Sequence, residues 1–128
     1  LDRDSHIVVV SYNGIVLLAG QTPNPTLKAK AGSAAQATQR VKKVHNELQI
    51  LAPSSLLARN NDTWLTTKIK TQMLADAAVP GSRIKIVTEN GIVYLLGLVT
   101  RREANVTTSL VQGVSGVQKI VKLFEYID

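Results

Sequence analysis

NGIVLLAG stands at residues 13–20 and NGIVYLLG at residues 90–97 of a chain of 128 residues. Outward from these octets, Ile7 matches Ile84, Val9 matches Ile86, Val10 matches Val87 and Ser11 matches Thr88, all 77 residues apart. Further on, Val41 and Val44 answer Val114 and Val117 at an offset of 73, which gives the first copy four extra residues within TPNPTLKAKAGSAAQATQRV, read as a loop and a helix. A repeat of this kind sets the fold before any other feature does. The chain reads as two copies of one small unit.

Asn-Gly between two β-rich runs predicts a hairpin, because both central residues of a type I′ turn need positive φ. A two-residue turn at Asn90-Gly91 pairs Thr88 with Val93, Ile86 with Leu95 and Ile84 with Gly97, and puts Ile84, Ile86, Val93 and Leu95 on one core face. Thr100-Arg101-Arg102-Glu103 is a capping box, so a helix runs from there to Gly113 with Val106, Leu110 and Val114 turned inward. Val117 to Ile127 is a third strand, parallel to the Val93 strand, with Val121 and Leu123 on the core side and Ile120, Phe124 and Tyr126 opposite. Ahead of the hairpin, Asp62 or Thr63 caps a helix whose Leu65, Ile69 and Met73 face the core at four-residue spacing. In the first copy Asn24-Pro25 opens the crossover helix, and Val44, Leu48 and Ile50 form the closing strand.

The expected class is α+β, two tandem units, each a three-stranded mixed sheet packed on helices in the order αββαβ. The first lacks its opening helix, through cleavage or because a partner supplies it. The boundaries are 1–51 for the first unit, 52–60 for a packed linker and 61–128 for the second. Val8, Val10, Ile15 and Leu17 in one copy and Val87, Ile92, Tyr94 and Leu96 in the other leave apolar sheet faces that need cover. We expect them to cover each other in part, and independent tumbling of the halves by NMR relaxation would contradict this.

An apolar share of 45% suits buried cores, and no apolar run nears the roughly 18 to 20 residues of a spanning helix. The absence of cysteine removes disulfides and thiolate metal sites. Fifteen Lys and Arg against nine Asp and Glu give a net charge of +6 and a surface that attracts anions. Aromatic residues at 4% supply few stacking platforms for nucleic acid, and Gly113-Val-Ser-Gly116 carries no basic residue, so it reads as a helix stop rather than a phosphate clamp. His6 and His45 have no spaced ligand partners, Asp2 and Asp4 sit near a terminus, and no nucleophile, base and orienting acid assemble. We expect no catalytic residues, metal or cofactor.

NGIVLLAG with VKKV, and NGIVYLLGLVTRREA with SGVQKIV, together resemble the BON domain, a small lipid-associated module of bacterial envelopes. The pair, strengthened by NDTWLTTKIK, resembles dual BON-domain outer-membrane lipoproteins over most of the chain. That resemblance implies a non-catalytic periplasmic protein tethered to the outer membrane, binding anionic phospholipid and supporting envelope integrity. The family's lipidated N-terminal cysteine is absent here, so anchoring belongs to a longer precursor.

On the residues themselves, Trp64 lies about 100° around the helix from the Leu65, Ile69, Met73 line, on a flank with Asn61, Thr67, Lys68 and Thr71. An indole prefers the membrane interface, and Lys68 and Lys70 are placed to meet phosphates. The candidate lipid-binding residues are therefore Trp64, Leu65, Thr67, Lys68, Lys70 and Thr71. The alternative is that Trp64 caps packing between units and the lysines are merely solvated. The partner expected is an anionic phospholipid surface, with no nucleic acid; the alternative function is a periplasmic protein-interaction scaffold whose apolar sheet faces dock an envelope protein, and nucleic-acid binding by the basic surface ranks behind both. Two basic groups read as solvated charge: Arg40, Lys42 and Lys43, and the pair Arg101 and Arg102, which opposes a helix dipole.

Overall fold

A computed structural model describes residues 4–128, in two compact units that divide between Ser55 and Leu56. The first holds β1 (His6–Tyr12), β2 (Ile15–Thr22), α1 (Pro25–Gln36), β3 (Lys43–Asn46) and β4 (Gln49–Ile50). Strands β1 and β2 form the antiparallel hairpin, with φ of 53° at Asn13 and 80° at Gly14, and β3 and β4 both run parallel to β2. Asn24 caps α1 by accepting the Leu27 N–H at 2.9 Å, with Pro25 in the first turn. Val16, Leu18 and Leu48 centre the core, packed by Ile7, Ala31, Ala35, Val41 and Val44.

The expected closing strand is broken. At Glu47 the backbone N–H donates to Leu18 O at 2.9 Å, and Leu48 drops into the core between β3 and β4. Ile50, expected within that strand, is exposed.

The second unit holds α2 (Leu56–Ala75), a 3-10 turn (Gly81–Arg83), β5 (Ile84–Glu89), β6 (Ile92–Val99), α3 (Arg101–Gln112) and β7 (Lys119–Tyr126). The hairpin register is the expected one, Thr88 with Val93, Ile86 with Leu95 and Ile84 with Gly97, and β7 is parallel to β6. The capping box forms in full: Thr100 Oγ1 accepts the Glu103 N–H at 3.1 Å and Glu103 Oε1 accepts the Thr100 N–H at 2.9 Å. Leu65, Ile69 and Met73 of α2 pack on Ile86, Val93, Leu95, Val111 and Val114.

Four expectations are corrected. Helix α2 begins at Leu56, so residues 56–60, expected in the linker, are helical and Asp62 lies inside the helix rather than at its cap. The register of β7 sets Ile120 opposite Val93 and Phe124 opposite Gly97, so Ile120 and Phe124 pack on the core in place of Val121 and Leu123. Adjacent apolar pairs, Ile120-Val121 and Leu123-Phe124, left alternation unable to choose the face. On α3 the expected Val106, Leu110 and Val114 do turn to the core, Val114 within it and the other two packed against it, but the most buried line of the helix is Ala104, Thr107 and Val111. Thr107, being polar, disguised that line.

The fourth correction concerns the repeat. Both crossover helices have 12 residues. Lys42 N–H donates to Gly14 O as Gln118 N–H donates to Gly91 O, and β2 meets β3 at Val16 and Val44 as β6 meets β7 at Val93 and Ile120. Val41 and Val44 thus answer Val117 and Ile120 at an offset of 76, leaving one extra residue, between Gly20 and Asn24. Arg40, with φ of 68°, occupies the left-handed position that Gly116 takes in the other copy. An arginine where the repeat has glycine hid the register.

Thr107 Oγ1 is buried and finds no hydrogen-bond partner among the described residues. A buried hydroxyl without a partner costs about 1–3 kcal/mol, so the nearly isosteric Thr107→Val should raise the stability of the second unit by about 1 kcal/mol, read from its urea unfolding midpoint.

Candidate membrane-contact site on the second unit

Helix α2 is held on its inner side by more than its apolar spine. The Asp62 carboxylate, buried, accepts the Asn90 N–H at 2.7 Å and the Gly91 N–H at 2.9 Å, fastening the helix to the tip of the β5–β6 hairpin. Thr66 Oγ1 donates to Thr88 Oγ1 at 2.8 Å, and Lys68 Nζ donates to Ser115 O at 2.9 Å. Asp62→Ala removes a charged acceptor from two turn amides, each such bond contributing about 1.5–3 kcal/mol. Thermal unfolding of that variant should show a loss of about 2–4 kcal/mol, and a change under about 0.5 kcal/mol would contradict this role.

With its inner side fixed, α2 presents an outer face carrying large apolar side chains. Trp64 is 61% exposed, Leu57 71%, Leu56 76% and Leu74 87%. Leu57 precedes Trp64 by seven residues, close to two turns, so the two side chains share one line. Thr63, Thr67 and Thr71 continue the face, and each hydroxyl donates to a carbonyl one turn back, Arg59 O, Thr63 O and Thr67 O, at 3.1, 3.0 and 2.8 Å. Their hydroxyls are satisfied within the helix, so the outward surface they offer is largely methyl. Beside Trp64 opens a groove of about 330 Å3 bordered by Asn61, Lys68, Asn90, Ser115 and Gln118.

The six expected site residues therefore divide. Trp64, Thr67 and Thr71 share the outer face, and Lys68 lies at its border, half-buried. Leu65 is sealed in the core and offers no surface contact, because its 100° step from Trp64 carries it onto the inner spine. Lys70 is exposed but lies about 120° from Trp64 around the axis, at the opposite border of the face. Leu56, Leu57 and Leu74 were missed. The signal for the first two was Pro53-Ser54-Ser55 ahead of Leu-Leu-Ala-Arg, a helix start rather than a linker.

Other charged groups have structural explanations. Arg101 stacks over the Tyr126 ring at 4.8 Å and donates through Nη1 to Asp128 O at 2.9 Å, while its own N–H meets the Asp128 carboxylate at 3.1 Å. That carboxylate offsets a cation at the start of α3. Arg40, Lys42 and Lys43 are exposed. Asp2 lies outside the described residues.

Two groups give the protein an acid-sensitive side. The hydrogen bond from Arg83 Nη2 at 2.6 Å, and after it the Thr100 backbone N–H, hold the Glu103 carboxyl below its ordinary 4.5. Burial, then the charge of Lys43, holds the His45 imidazole below 6.5. For both, the folded state binds fewer protons than the unfolded one, so the stability is complete above the unfolded value and is lost as pH falls toward the folded one. Urea midpoints should decline first below about pH 6.5 in the first unit, then below about 4.5 in the second, and Glu103→Gln should flatten the second decline.

The sequence model of the BON domain matches residues 1–52 and 61–128. The chain belongs to the BON domain family. Over its whole length this BON protein is 40% identical to the Outer membrane lipoprotein DolP of Haemophilus influenzae, spanning 66% of that protein. It is 33% identical over 99% of its length to a 21 kDa hemolysin of Actinobacillus pleuropneumoniae, again spanning 66% of the relative. It is 26% identical over 92% of its length to the Osmotically-inducible protein Y of Escherichia coli, spanning 60%. This BON protein thus spans about two thirds of the length of the curated relatives it matches. These likenesses support a periplasmic, outer-membrane-associated location. Among the described residues no helix is long and apolar enough to cross a membrane.

Proposed function

We propose that this BON protein is a non-catalytic phospholipid-binding module of the bacterial envelope, contributing to outer-membrane integrity, and that α2 of its second unit rests on the surface of an anionic bilayer. The observation that carries the reading is the exposure of Trp64, with Leu56, Leu57 and Leu74, on a helix whose inner side is pinned by Asp62 and Thr66. Threonines with internally satisfied hydroxyls lie between these apolar side chains, so the face can enter the headgroup region without stranding polar groups. Lys68 and Lys70 border it on either side, where their ammonium groups meet lipid phosphates at about 1 kcal/mol each on an anionic surface.

Co-sedimentation with phosphatidylglycerol vesicles, comparing the parent protein with Trp64→Ala and Lys68→Glu, tests this. We expect both variants to bind more weakly, and the lysine variant's deficit to shrink as salt rises. Equal binding by all three would remove the proposed face. A parent protein that ignores the vesicles, yet gains mass with concentration in light scattering, would favour docking between proteins.

A further inference from the structure

Strand β7 has 8 residues and lies at the edge of its sheet, with β6 as its one strand neighbour among the described residues. A strand paired on one side turns the N–H and C=O groups of alternate residues outward, a row ready to pair with another chain. The first unit does not keep such a row. Its equivalent strand is broken at Glu47 and Leu48 into β3, of 4 residues, and β4, of 2. The second unit keeps the edge continuous.

Side chains along β7 select what can pair there. Lys119 and Lys122 are exposed, and with Thr108 and Gln112 of α3 they border a groove of about 320 Å3 along the strand. Ile120, also on its border, packs against the core, so the groove has a fixed floor. Its charge is all positive, because no carboxylate borders it among the described residues. Like charges set opposite one another on paired strands repel, so a second copy of β7 laid on this edge would put lysines among lysines. A strand carrying acidic side chains gains where that copy loses. A flat anionic bilayer would also attract the lysines, but it gains nothing from the outward backbone groups.

We propose that the β7 edge docks an extended acidic segment of another envelope protein, which joins the sheet as a fourth strand and sets carboxylates against Lys119 and Lys122. Main-chain hydrogen bonds supply the affinity, and every second side chain of the added strand faces the α3 groove and fixes the register. The site is built from β7 and α3, so it stands whether or not the outer face of α2 meets lipid.

A synthetic peptide of about eight residues, alternating Glu and Val, is titrated into isotopically labelled protein and followed by amide NMR. We expect a Kd under about 1 mM, shifts centred on the β7 amides and slower hydrogen exchange there. Two changes should each weaken binding at least about tenfold. One is N-methylation of every peptide nitrogen, which keeps the carboxylates and removes the backbone donors. The other is the double substitution Lys119→Glu and Lys122→Glu. Equal binding by the methylated peptide would reduce the contact to charge and overturn the proposal. So would no binding at millimolar peptide, or shifts centred away from β7. A double variant that keeps the peptide but loses co-sedimentation with phosphatidylglycerol vesicles would assign the lysines to the membrane instead. Should that variant not fold, the two peptides on the parent protein decide.

Discussion

Replacing Leu57 and Trp64 together by aspartate should abolish co-sedimentation with phosphatidylglycerol vesicles while shifting the unfolding free energy by no more than about 0.5 kcal/mol. Both side chains are mostly exposed, 71% and 61%, so the fold loses little packing when they go. Against a bilayer they matter more. Seating an indole and a leucine in the interface removes on the order of 150 Å2 of apolar surface from water, which at about 25 cal/mol per Å2 gives roughly 4 kcal/mol, or about a thousandfold in partitioning. Two introduced carboxylates on an anionic surface add to the loss. Binding retained within about threefold of the parent would show that this face is not the one that meets lipid.

Gly97→Ala should unfold the second unit or come close to it. The repeated octet ends in Gly20 and Gly97, and both have left-handed φ, 115° and 153°. A Cβ at Gly97 would stand 2.3 Å from Arg83 O, and one at Gly20 would stand 1.9 Å from His6 O, in each case backbone that cannot step aside. Strain of about 1–3 kcal/mol at φ and a further 1–3 kcal/mol of overpacking approach the whole stability of a small domain. A urea midpoint displaced by less than the equivalent of about 1 kcal/mol would mean that the strands slide apart at little cost. The matching substitution at Gly20 should act on the first unit in the same way.

Those two glycines explain why both ends of the octet recur. The hairpin needs Asn-Gly for its turn and a glycine where the first strand begins across from the second, so both ends of the pattern answer backbone requirements that any copy of the fold must meet. Such features were legible because they are local. So were the capping box at Thr100 and Glu103, the proline-opened helix after Asn24 and the spine Leu65, Ile69, Met73. The sides of β7 and α3 were not. Ile120 could not be told from Val121, nor the Val106 line from the Thr107 line, until β6 supplied a register and the sheet a surface to bury.

On the site, the sequence alone singled out Trp64 as standing off the hydrophobic spine and placed lysines near it, because helical geometry spaces side chains by a fixed angle. Tertiary structure decided the rest. Asp62, which reads as a helix cap, closes a hairpin 28 residues away in sequence. Leu65 belongs to the core, and Leu56, Leu57 and Leu74 extend the exposed face. Which apolar residues remain in water depends on what neighbouring strands and helices leave uncovered. That is a property of packed surfaces, which spacing along a sequence does not contain.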